Sequence, residues 1–109
     1  LYMLGHAGLP MADAYAVLTD VVATQSPTLG SLNAGRYSNP AFDALLPRIA
    51  SELDPQRRRA LIAEAVALER NDVSHIPLHQ QPLTWAARTG IDLRQAPDNA
   101  LRLWLVTWN

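Results

Sequence analysis

Gly35-Arg36-Tyr37-Ser38-Asn39-Pro40-Ala41-Phe42-Asp43-Ala44-Leu45-Leu46 is the stretch that decides how this chain folds. Ser38 or Asn39 can cap a helix here, because a short polar side chain accepts a hydrogen bond from an orphan amide of the first turn. Pro40 suits the first helical position, where its missing amide would have had no partner. Phe42, Leu45, Leu46, Ile49, Ala50 and Leu53 then recur at helical spacing and predict one continuous apolar stripe. Pro47 falls inside that stripe and is expected to kink or shorten the helix. Asp54-Pro55 repeats the cap-and-proline device and starts another helix, with Leu61, Ile62, Ala65, Val66 and Leu68 facing inward. So short a connection predicts an antiparallel helical hairpin.

Upstream of the hairpin, Leu1 to Leu4 reads as a buried strand that stops at Gly5-His6-Ala7-Gly8-Leu9-Pro10. An apolar first residue without a cap or polar lead-in is expected of a chain that begins inside a strand and belongs to something longer. Between Ala12 and Ala23 the residues Ala14, Val17, Leu18, Val21 and Val22 share one helical face, and Thr24 to Gly35 has the composition of a surface loop. Downstream, Ile76 to Gln80, Leu83 to Ala87 and Ile91 to Leu93 are strand candidates. Arg88-Thr89-Gly90 and Ala96-Pro97-Asp98-Asn99 read as turns. Leu101 to Trp108 alternates with apolar residues on both faces, and such a strand wants cover on both.

Composition narrows the classes of function. The 109 residues are 49% hydrophobic, enough for a packed core in a single modest domain, with a formal net charge of −1. All nine cationic side chains are arginines, which fits genome composition better than a function, and no basic footprint for nucleic acid or anionic lipid is present. Cysteine is absent, so disulfides and thiolate metal sites are excluded. No apolar run is long enough to span a bilayer as a helix.

The residue types that could carry chemistry do not assemble into a catalytic pattern. His75 and His79 have the four-residue spacing of helical zinc ligands, but Pro77 lies between them and neither has a neighbouring Glu, so they read as two polar residues on one strand face. His6 is a lone histidine between glycines and reads as a loop side chain. Gly5-x-x-Gly8 and Gly30-x4-Gly35 lack the lysine of a phosphate loop. Arg57-Arg58-Arg59 opens a helix, where its charge opposes the macrodipole, and is expected to be a solvated face partnered by Glu64 and other acids. Ser26, Ser31, Ser38, Asp13, Asp20 and the histidines fit no triad, so no enzymatic activity and no cofactor are expected.

Taken in order, Tyr37-Ser38-x-Pro40-x-Phe42-Asp43-x-Leu45, Asp54-Pro55-x-Arg57-Arg58, Ile76-Pro77-Leu78 and the Asp98-Asn99 turn resemble the C-terminal part of family 5 solute-binding proteins. Those are the peptide-, nickel- and glycoside-type receptors of bacterial ABC importers. The resemblance implies an α/β fold, the C-terminal portion of a type II two-lobed periplasmic-binding-protein-like architecture, with a helical hairpin packed on a small mixed sheet. It places residues 1–80 in the C-terminal lobe, and residues 81–109 in a hinge crossing and a tail that returns to the N-terminal lobe. The implied partners are a peptide or other small solute, captured between lobes in the periplasm, and an inner-membrane ABC permease.

The same resemblance implies solute contacts from His6, Ala7, Gly8, Leu9 and Gln81. Family members commonly read Gly-Trp and then an acid at the first of these places. Here Gly5-His6 and its neighbours supply neither the aromatic wall nor the carboxylate. Gln81 stands where some members carry a cleft-facing tyrosine. A rival reading is a small self-associating structural domain without a ligand. Either way the isolated chain is expected to form a homodimer, since Trp104, Val106 and Trp108 would lack cover.

Overall fold

The computed structural model describes residues 2–6, 13–80, 82–96 and 98–109. Among them are three α-helices and one two-stranded antiparallel sheet, a mixed α/β arrangement. The chain divides into two compact units, Leu1–Pro77 and Leu78–Asn109.

The first unit is helical, and its core lies where the stripe predicts. Helix α1 (Ala14–Val17) is capped by Asp13, whose Oδ1 accepts from the Tyr15 amide, and it runs directly into a π-helical turn, Leu18–Val22. The cause of the wider turn is local. Thr19 Oγ1 donates back to the carbonyls of Tyr15 and Ala16, a bond that loosens a helix, and the Ala23 amide reaches Leu18 O five residues earlier. The carbonyls of Thr19 and Asp20 then accept from the amides of Gly30 and Leu32, so the loop after the helix folds back onto it. Gly30 has φ +67°, and a Cβ there would stand 2.5 Å from Ala23 O, which leaves room for glycine alone.

Helix α2 (Pro40–Ser51) begins at Asn39, whose Oδ1 accepts from the amides of Ala41 and Phe42. Phe42, Leu45, Leu46 and Ile49 are buried and pack with Leu18, Val21, Val22 and Ala65. Pro47 neither ends nor shortens the helix, which continues to Ser51. The stripe is narrower than its sequence pattern. Ala50 faces out, and Leu53 is 92% exposed, because α2 stops before it and the chain turns there.

Helix α3 (Pro55–Asp72) starts at Asp54, whose Oδ1 accepts from the Arg57 amide 2.8 Å away, and α2 and α3 form the expected hairpin. Ala65 is its buried residue, with Leu61, Ile62 and Leu68 packed against the core; Val66 turns away from it. Arg57 and Arg58 are partnered, though not by Glu64. Arg57 pairs with Glu52, while Arg58 spans three elements by binding Asp13 at 2.8 Å and donating to the Ile49 carbonyl at the end of α2. Asp54→Ala removes one cap and is expected to cost about 1 kcal/mol, read as a lower urea midpoint by far-UV circular dichroism.

Among the described residues of the first unit there is no strand where a small mixed sheet was expected beneath the hairpin. Residues 2–6 and 74–80 carry no strand, and Met3, Ile76 and Leu78 are exposed. A strand forms when a neighbour satisfies its edge and covers its faces, and no described residue does so here. Leu1 lies outside the described residues.

In the second unit, β1 (Ile91–Asp92) pairs with β2 (Thr107–Trp108), Ile91 opposite Trp108. The turns at Arg88–Gly90 and at Asn99 are present; Pro97 lies outside the described residues. Residues 83–87 form no strand, and the predicted long strand over Leu101 to Trp108 is broken by a 3₁₀ turn, Leu103–Leu105. Leu105 and Val106 amides bond to Arg102 and Leu103 carbonyls there, satisfying locally what a lone two-faced strand would leave open.

Candidate functional site

Of the residues implied as solute contacts, the structure places His6, while Ala7, Gly8, Leu9 and Gln81 lie outside the described residues. His6 faces an acidic side chain. Its side chain is 19% exposed, and Nε2 stands 4.0 Å from Asp20 Oδ2 on the π-helical turn.

A polar assembly lies at the C-terminal end of α3. Glu69 and Asp72 sit there against the negative end of the helix dipole, a placement that calls for donors. Both acids have them. Asp72 Oδ2 accepts from Tyr37 Oη at 2.6 Å and from Asn39 Nδ2 at 2.7 Å, which ties the start of α2 to the end of α3. Glu69 Oε1 accepts from Ser74 Oγ at 2.8 Å and lies 3.3 Å from His75 Nδ1, and His75 Nε2 is 3.3 Å from Tyr2 Oη. Sequence reading missed this group. Its one signal was two acids three residues apart in a last helical turn, each needing a donor.

Ser74, His75 and Glu69 have the residue types of a nucleophile relay without its geometry. Ser74 Oγ and the carboxylate share the same ring nitrogen, Nδ1, and the serine donates to Glu69. The hydroxyl proton therefore goes to the acid, and Tyr2 faces the other nitrogen, so this arrangement orients the imidazole. Val66, Glu69 and Arg70 of α3, with Val73, His75, Ile76 and Pro77, line an open groove of about 360 Å³. Its mostly apolar lining includes the Glu69 carboxylate, the Arg70 guanidinium and the His75 imidazole. Among the described residues no three potential ligands converge on one metal position.

The electrostatics of the first unit give it a defined response to pH. Burial, and then the hydrogen bond to Asp72, push the Tyr37 phenol up to about 12. Asp72 is held below the usual carboxylate range by Tyr37 and Asn39, and Asp13 likewise by Arg58 and the Tyr15 amide. A depressed carboxylate stabilises the fold above its unfolded pKa, near 4, and that stability is lost as pH falls through the lower folded value. A raised phenol acts at the other end: stability declines once pH passes about 10, where an unfolded tyrosine ionises. A thermal-melting profile should fall at both ends, below about pH 4 and above about pH 10. Ultraviolet titration should show one of the three tyrosines ionising late.

No protein family, curated protein or solved structure matches this chain.

Proposed function

We propose that this chain is the C-terminal part of a periplasmic solute-binding receptor of the family 5 type, which captures a peptide or other small solute between two lobes and delivers it to an ABC permease. The observation that carries the reading is the Tyr37-to-Leu45 and Asp54-to-Arg58 pattern, in which nearly every recurring residue has a structural duty. Asp54 caps, Pro40 and Pro55 open helices, Phe42 fills the core, Asp43 accepts from the Thr24 amide, and Arg58 joins three elements. A pattern of capped helices supports kinship with a fold and leaves the solute open. In this reading the apolar groups exposed at Ile76 and Leu78 are sheet residues that meet the rest of the receptor.

The solute contacts proposed are His6, Ala7, Gly8, Leu9 and Gln81. Because the chain has no cysteine, a His6→Cys, Gln81→Cys pair can be spin-labelled in the protein encoded by the whole reading frame without background from this chain. Electron–electron resonance should report a separation that changes when solute is added, as lobes close about a hinge. A separation that no solute changes contradicts the reading.

A further inference from the structure

The surface that stands out on the second unit runs from Leu101 to Trp108. Trp104 is 79% and Trp108 77% exposed, with Leu101 and Leu103 more than half exposed beside them. Exposed indoles on this scale are uncommon on a monomer and mark an interaction surface. Charge does not oppose a copy approaching it. Arg102, the one charged residue of the stretch, is neutralised by Asp98.

The tail is not available for exchange. β2 is already paired with β1 in the same chain, and the Asn109 amide closes the hairpin on Gly90 O at 2.9 Å. Val106 is half-buried and contributes little. Beyond β1, β2 has no second strand beside it among the described residues, so its outer edge and the two indoles remain.

We propose that a second copy of this chain docks on the Leu101–Trp108 surface through a two-fold contact in which Trp104 and Trp108 of each copy bury against the other. Two mostly exposed indoles offer roughly 300–400 Å² per copy. With the leucines, a symmetric pair covers about 1,000–1,200 Å², the lower end of what a specific interface needs. A two-fold contact also closes, since the same patch serves both copies. The contact rests on this surface and competes with the receptor reading, in which the tail returns to the N-terminal lobe.

Sedimentation velocity over a dilution series of the chain tests it, together with Trp104→Ala, Trp108→Ala and the double variant. The parent should pass from monomer to dimer with rising concentration, and acrylamide should quench its tryptophans less in the dimer. Each single variant should weaken the dimer about tenfold or more, with unchanged far-UV circular dichroism, because neither indole contributes to a core. A parent that stays monomeric at high concentration overturns the proposal. So does a dimer indifferent to both substitutions, or open-ended polymerisation.

Discussion

Phe42→Ala is expected to lower the unfolding free energy of the helical unit by about 3–5 kcal/mol, the cost of losing a buried phenylalanine and leaving a cavity behind. Phe42 is fully buried and meets the Tyr37 ring edge-on, with centroids 6.3 Å apart. That contact couples the core to the surface. Tyr37 holds Asp72, so losing the phenylalanine also loosens the link between the start of α2 and the end of α3. Urea denaturation followed by far-UV circular dichroism is the measurement. A midpoint within error of the parent would mean that the α2 stripe does not form the core. Phe42→Leu refills much of the cavity and should recover a large part of the loss.

Asn33→Ala should rank next, although Asn33 lies in a loop. Its side chain is buried at 1% exposure and makes three hydrogen bonds, donating to Ala23 O and Tyr37 O and accepting from the Tyr37 amide. Alanine leaves two carbonyls and an amide without partners, at about 1–3 kcal/mol for each group that water cannot reach, so a total near 3 kcal/mol is expected. Asn33→Asp separates shape from chemistry. The carboxylate fits the space and can accept from the Tyr37 amide, yet it cannot donate and would face two carbonyl oxygens. It should be at least as damaging as alanine near neutral pH and less so in acid, where protonation restores one donor. An aspartate variant as stable as the parent would show that the donated bonds contribute nothing.

What the sequence disclosed and what it hid have physical causes. The helix starts at Asn39-Pro40 and Asp54-Pro55 were legible because capping is local: the cap and the amides it serves lie within four residues. The buried stripe from Phe42 to Ile49 was legible because helical period and burial coincide. Apart from Ile91 to Leu93, where β1 forms, the strands were misread for the opposite reason. Leu1 to Leu4, Ile76 to Gln80 and Leu83 to Ala87 have strand composition, but a strand exists through its neighbours, which composition does not specify. The loop from Thr24 to Gly35 read as simple surface, since nothing local reveals that a π-helical turn frees two carbonyls for it or that Asn33 is its centre. The Glu69, Ser74, His75 and Tyr2 group depends on a contact across most of the helical unit, Tyr2 to His75, beyond any short-range pattern.

The most direct measurement of whether this chain belongs to a solute receptor is mass spectrometry of the small molecules released on denaturing the protein expressed from its whole reading frame and purified by gentle means. The receptor reading predicts a retained peptide or other small solute near one equivalent. It also predicts that adding the solute back to protein refolded without it raises the melting temperature, as a ligand that binds only the folded state must. Protein that releases no solute, and whose melting temperature is unmoved by oligopeptides, glycosides and chelated nickel, would contradict it.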